Sequence, residues 1–167
     1  DVVQSLRPAF NNVFGYDNAL QETKEYYEDN LLEKSNNKYS GIFEGKNVIA
    51  IHAESLQSFT LGLSFNGKEV TPNLNRLVSE GMYFSNFYPL ISVGTSSDTE
   101  FTLNTSLMPS SSGTVFMSYY DRNYITIEKL LADKGYYTFS AHANEKSMWN
   151  REFMHPNMGY QELIFKD

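Results

Sequence analysis

Three short segments carry the residue types able to do chemistry. His52-Ala53-Glu54-Ser55 sets a carboxylate just after the apolar run Val48-Ile49-Ala50-Ile51. A carboxylate there can ligate a hard cation such as Mg²⁺ or Mn²⁺, or work as an acid or base. Gly94-Thr95-Ser96-Ser97-Asp98 offers three hydroxyls at a predicted helix start. Glycine lets a ligand approach the backbone, and helix N-terminal amides favour a phosphate. A hydroxyl beside a divalent cation can lose its proton and become a nucleophile. The third segment runs from His142-Ala143-Asn144 to Trp149-Asn150-Arg151. There an imidazole can ligate or protonate, a guanidinium can clamp a phosphate, and an indole can wall a small pocket. Each segment has a plain alternative: a salt-bridged Glu54, an ordinary helix cap, a structural His142. Asp98 and Glu100 are assigned to the first turn of their helix. His52 is expected to turn away from Glu54 into packing, His155 to sit in a Pro-adjacent loop, and Tyr119-Tyr120-Asp121-Arg122 to form a surface turn rather than a sugar-stacking site.

These segments need elements to hold them. Val48 to Ile51 reads as a buried parallel strand. Thr71-Pro72 opens a helix through Leu74, Leu77 and Val78 that Gly81 stops. Met82 to Tyr88 reads as a second strand. Ser96 or Ser97 caps a helix containing Phe101, Leu103 and Leu107. Thr126 to Lys134 is a further helix ended by Gly135, and Tyr136 to Ala141 is a third strand. Alternation of strands and helices predicts an α/β fold with a mostly parallel sheet flanked by helices. In such folds ligands gather at the carboxyl ends of strands, which is where the three segments fall. Residues 1–46 read differently. Phe10, Phe14 and Tyr16 lead to an Asp17-Asn18 cap and an amphipathic helix over Ala19 to Lys34, with Leu20, Tyr27 and Leu31 facing a neighbour, then a linker at Ser35-Asn36-Asn37-Lys38. The chain therefore divides into an N-terminal helical arm and linker (1–46) and a second domain or part-domain (47–167).

The 167 residues carry 13 Lys+Arg against 20 Asp+Glu, a net charge of −7, with 41% hydrophobic residues and no cysteine. The acidic balance excludes a nucleic-acid partner held through phosphates. The missing thiols exclude disulfides, zinc–thiolate sites and cysteine nucleophiles. No apolar run approaches the roughly 20 residues that span a bilayer, and no signal peptide opens the chain. An opening Asp points to a piece of a longer protein.

Five segments in order resemble the extracellular catalytic domain of the lipoteichoic acid synthase and phosphoglycerol transferase family, within the sulfatase-like branch of the alkaline phosphatase superfamily. They are Asn47 to Ser55, Thr71 to Asn75, Ser97-Asp98-Thr99-Glu100-Phe101, His142-Ala143-Asn144 and Trp149-Asn150-Arg151. The resemblance covers about residues 47–165 and implies an alkaline phosphatase/sulfatase-like fold, incomplete in this chain. It implies Mn²⁺ or Mg²⁺ held partly by Glu54, and a hydroxyl nucleophile that takes glycerol phosphate from phosphatidylglycerol as a covalent phospho-enzyme intermediate. An envelope glycolipid or polymer then accepts the group. His142, Trp149, Arg151 and Asn144 match the pocket for glycerol phosphate. The implied location is the extracellular face of the bacterial cytoplasmic membrane, tethered by segments absent here.

The chain departs from the family pattern in two ways. The family nucleophile is a Thr directly before Ser-Asp, a place held here by Ser96, with Thr95 one residue earlier. A one-residue shift at a helix start swings a side chain by about 100°, so one of the two fills the role, and the register favours Ser96. The family's remaining metal ligands, an Asp-His pair and a pocket His, lie downstream of Asp167. The remainder of the catalytic domain is thus an expected partner, and this piece alone is expected to be inactive with an unpaired sheet edge. Two rival functions stand beside the transferase: a phosphate or sulfate ester hydrolase of the same superfamily, and a non-catalytic module binding envelope polymer. The first is disfavoured for sulfate because Ser96 to Glu100 lacks the Pro and Arg of the formylglycine motif; the second is opposed by the charge.

Overall fold

The computed structural model describes residues 16–31 and 35–166. It falls into two compact units, Asp1–Ile49 and Ala50–Asp167.

In the first unit, helix α1 (Tyr16–Asp29) is the main element. Asp17 and Asn18, read as its cap, lie within that span, and their side chains are outside the described residues. The helix ends at Asp29, where Asn30 Nδ2 donates to the Tyr26 carbonyl at 2.8 Å; part of the predicted extension, residues 32–34, lies outside the described residues, as do Phe10 and Phe14. Leu20, Tyr27 and Leu31, read as a packed face, are 46%, 59% and 70% exposed. The helical period was present, but it does not guarantee a partner for the apolar face. Tight turns follow over residues 38–45, with Gly41 and Gly45 at φ 75° and 72°.

The second unit holds the layered part of the fold. A two-residue hairpin pairs β1 (Ser64–Phe65) with β2 (Lys68–Glu69) across Asn66-Gly67, both at positive φ. Asn-Gly is the dipeptide such a turn requires, and the pattern reading passed over it. Helix α2 (Pro72–Glu80) starts on Thr71-Pro72 and stops at Gly81 as the sequence predicts. The Thr71 hydroxyl donates to the Thr60 carbonyl at 2.9 Å instead of capping the helix. Helix α3 (Ser96–Thr105), the short α4 (Val115–Ser118) and α5 (Ile127–Ala132) follow. Leu107, predicted inside α3, lies beyond its end. Thr126 caps α5 by accepting from the Lys129 amide at 3.2 Å.

The chain then forms β3 (Phe139–His142), helix α6 (Arg151–Met158) and β4 (Glu162–Phe165). β3 and β4 pair in parallel, Phe139 opposite Glu162 and His142 opposite Phe165, with α6 as the crossover that a parallel pair needs. The core lies among α3, α4 and α6. It consists of Phe101, Val115, Phe116, Met154 and Met158, with Tyr124, Trp149 and Tyr160 packed against it.

Two predicted strands are absent. Val48, Ile49 and Ile51 are 66%, 84% and 84% exposed and pair with nothing among the described residues. Met82 to Tyr88 is likewise unpaired, with Phe84 70% and Phe87 81% exposed. An apolar run signals the wish to be buried, but a strand exists only where a neighbour completes its ladder. His155 corrects another expectation. It lies inside α6 and is 5% exposed, although Pro156 follows it within the same helix. Pro weakens the helical signal, but Met154 and Met158 on the core face hold the turn in place. Tyr119 to Arg122 does form a surface turn, closed by the Arg122 amide on the Tyr119 carbonyl at 3.1 Å.

Candidate active site

The loop before α3 is built by its own side chains. Asp98, 1% exposed, accepts the Ser92 and Gly94 amides on Oδ2 at 2.7 and 3.0 Å. Buried Ser97 donates through Oγ to the Gly94 carbonyl at 2.8 Å. A methyl group on Gly94 would stand 2.3 Å from Asp98 Oδ1, so only glycine allows this closure. Asp98 therefore holds the loop ahead of the helix. Thr95 then turns the chain at φ 44°, a conformation a β-branched residue adopts only when its surroundings force it. The result is that Ser96 becomes the first residue of α3, at the positive end of the helix dipole.

Ser96 Oγ donates to Glu54 Oε2 at 2.5 Å, across 42 residues of sequence. His52 approaches the same oxygen, with Nε2 3.9 Å away. This corrects the expectation that His52 turns away.

Ser96 and Glu54 line a cavity of about 210 Å³ together with His142, Asn144, Met148, Trp149 and Arg151. The last four of these come from the crossover after β3. His142 is the last residue of β3. Its Nδ1 accepts the Asn144 amide at 3.0 Å, which makes Nε2 the donor nitrogen of the neutral ring. Burial and then the nearby Arg151 charge push its pKa below the ordinary histidine value. The turn Met148–Asn150 carries two consecutive left-handed residues, Trp149 at φ 57° and Asn150 at φ 58°. Asn150 Nδ2 pins that turn by donating to the Phe116 carbonyl at 2.9 Å. The chain is thereby redirected so that α6 begins at Arg151.

Arg151 is 1% exposed and needs a counter-ion. Glu100 supplies it: Arg151 Nη2 and Nε donate to Oε1 at 2.5 Å and Oε2 at 3.0 Å, respectively. His155 Nε2 lies 3.0 Å from Glu100 Oε2, and its Nδ1 lies 2.9 Å from Ser140 Oγ. Burial pushes the Glu100 carboxyl upward, but the hydrogen bonds with His155 and Arg151 outweigh it and bring the pKa down to about 2. Glu100 is thus no first-turn residue of the ordinary kind. The available signal was its spacing: four residues after Ser96, it lies one turn further along the same helix face.

The structure therefore gathers Glu54, Ser96, His142, Asn144, Trp149 and Arg151 around one cavity. Thr95 is exposed and is not among the lining residues. Glu54 and Ser96 present a carboxylate and a hydroxyl oxygen at one point, the donor type that Mg²⁺ or Mn²⁺ prefers. Among the described residues no group of three or more His, Cys, Asp or Glu is placed to close a metal site. At about 210 Å³ the cavity is smaller than the 300–1,000 Å³ typical of drug-sized ligand sites, and suits a compact group.

Comparison with known proteins places these features in context. The sulfatase family profile matches residues 46–167. The chain is 38% identical over 154 residues to the lipoteichoic acid synthase-like YvgJ of Bacillus subtilis (strain 168), covering 92% of this chain and 25% of that protein. It is 38% identical over 167 residues to the lipoteichoic acid synthase of Staphylococcus aureus (strain USA300), covering 98% of this chain and 26% of that protein. The crystal structure of the lipoteichoic acid synthase LtaP from Listeria monocytogenes superimposes with a TM-score of 0.78 at 31% identity, over 85% of this chain and 35% of that one. The chain thus spans about a quarter of the length of the curated relatives it matches. The likeness carries the α/β sulfatase-like fold to this chain.

Proposed function

Because the chain belongs to the sulfatase family, we propose that it forms part of the catalytic domain of a phosphoglycerol transferase of the lipoteichoic acid synthesis type. The observation that carries this reading is the Ser96 hydroxyl bonded to Glu54 on the wall of a small cavity that Arg151 and His142 also line. The similarity to proteins named lipoteichoic acid synthase supports it.

In this reading Ser96 Oγ attacks the phosphorus of phosphatidylglycerol. The bond to diacylglycerol breaks, the alcohol leaves with a proton, and glycerol phosphate stays esterified to Ser96. A hydroxyl of the acceptor, a glycolipid or growing polymer, then attacks the same phosphorus and restores the serine. Glu54 orients Oγ through its hydrogen bond. The α3 dipole and the Arg151 charge stabilise the negative oxygens of the transferring group. His142 offers Nε2–H to the same oxygens, and Trp149 bounds the glycerol. A bound Mn²⁺ or Mg²⁺ would lower the pKa of the attacking hydroxyl and neutralise phosphoryl charge. Glu54 and Ser96 would hold it, with further donors supplied by the rest of the catalytic domain. The proposed location is the outer face of the cytoplasmic membrane, although no helix among the described residues is long and apolar enough to cross it.

The test is release of diacylglycerol from phosphatidylglycerol by the full-length protein that contains this chain, with Mn²⁺ present. Ser96→Ala is expected to lower the rate by at least about 10³-fold, and Thr95→Ala to retain most of it. An active Ser96→Ala beside an inactive Thr95→Ala would transfer the role to Thr95. A hydrolase is told apart by its product, free glycerol phosphate in the absence of any acceptor.

A further inference from the structure

Arg151 faces two ways. A guanidinium has five N–H donors in a rigid fork. The Nε donor is shared between the two Glu100 oxygens at 3.2 and 3.0 Å, one Nη2 donor goes to Glu100 Oε1 at 2.5 Å, and one Nη1 donor goes to the Met148 carbonyl at 3.0 Å. One donor is left on each terminal nitrogen, and neighbouring terminal N–H groups of a guanidinium are the donors that receive a phosphoryl or carboxylate group bidentately. Arg151 lines the cavity and Glu100 does not. The carboxylate is itself held from behind by His155, whose other nitrogen meets Ser140 on β3. A line of contacts thus runs from the sheet through His155 and Glu100 to the cavity wall.

We infer that Glu100 is the positioning residue for anion recognition, gripping Arg151 by its Nε edge so that the terminal pair of N–H groups stays available to a phosphoryl oxygen in the cavity. This rests on the reading of the cavity as a phosphoryl site, but not on Ser96 being the nucleophile. A free guanidinium would point anywhere on its long stem, and a misplaced donor loses its value quickly. Glu100 also touches none of the cavity, so its effect on a ligand must pass through Arg151.

The experiment is equilibrium binding of glycerol 1-phosphate and, separately, of inorganic phosphate to the full-length protein, by calorimetry without turnover. The variants are Glu100→Gln, Glu100→Asp, Arg151→Met and the double variant Glu100→Gln with Arg151→Met. Glu100→Asp keeps the charge but draws the carboxylate back by one methylene, so a role limited to neutralising a buried cation is preserved while positioning is lost. Both Glu100 variants are expected to bind about tenfold more weakly, and the double variant to bind no more weakly than Arg151→Met alone. In steady state the loss should appear in KM more than in kcat. If Glu100→Gln fails to fold by circular dichroism, Glu100→Asp carries the comparison. Wild-type affinity in Glu100→Asp, or multiplying losses in the double variant, overturns the inference. So does failure of the unaltered protein to bind either anion. Binding of inorganic phosphate but not glycerol 1-phosphate, with the same dependence on Glu100, keeps this inference and counts against the phosphoglycerol substrate instead.

Discussion

At the scale of single residues the site depends on which atoms are already committed. Ser96 gives its hydroxyl hydrogen to Glu54, so an oxygen lone pair is directed by a fixed partner. Asp98 spends one carboxylate oxygen on the Ser92 and Gly94 amides, which removes it from the cavity chemistry. His142 is committed through Nδ1 to the Asn144 amide, leaving Nε2–H as its donor. That assignment has a consequence. His142→Ala should lower kcat/KM by about 10²-fold, the usual cost of one donor to developing negative charge. His142→Gln, whose amide N–H can stand near the same point, should lose clearly less. Equal losses in the two variants, measured with phosphatidylglycerol, would mean that the ring acts by something other than that donor.

At the scale of elements, two helix starts and one strand end do the positioning. Helix α3 places Ser96 at its first residue, Glu100 one turn on, and Phe101 in the core. Helix α6 begins with Arg151 and anchors itself through Met154 and Met158. β3 ends in His142 and reaches His155 through Ser140. Glu100 ties the two helices, and its carboxyl pKa of about 2 against an ordinary 4.5 makes that tie sensitive to acid. A carboxyl depressed on folding stabilises the folded state fully above its unfolded pKa, and the contribution is lost as pH falls through the folded value. The melting temperature should therefore drop between pH 4.5 and pH 2 more steeply in the unaltered protein than in Glu100→Gln. Parallel curves for the two proteins in that window would show that the ion pair adds no pH-dependent stability.

At the scale of the molecule, the sequence made the site easier to read than the sheet. Glu54, Ser96 and His142 each follow a run that looks like a strand, and chemistry-bearing residues after strand ends are recognisable by type alone. They do meet. Of the three runs, only that leading to His142 is a strand here, pairing with Glu162 to Phe165. Residues 48–51 and 82–88 signal burial, but whether a neighbour exists to bury them is a long-range property that local pattern does not contain. The same holds for Glu100: its residue type suits a helix start, and only the fold reveals Arg151 51 residues away. His52, read as turning away, instead brings Nε2 to 3.9 Å from Glu54 Oε2.

The central claim is that Ser96, held by Glu54, takes the phosphoryl group. The most direct measurement is mass spectrometry of the full-length protein quenched during turnover of phosphatidylglycerol, followed by peptide mapping. The account predicts a glycerol phosphate ester on the Ser96 side chain, absent in Ser96→Ala. The same ester found on Thr95, or steady turnover with neither residue ever modified, contradicts it.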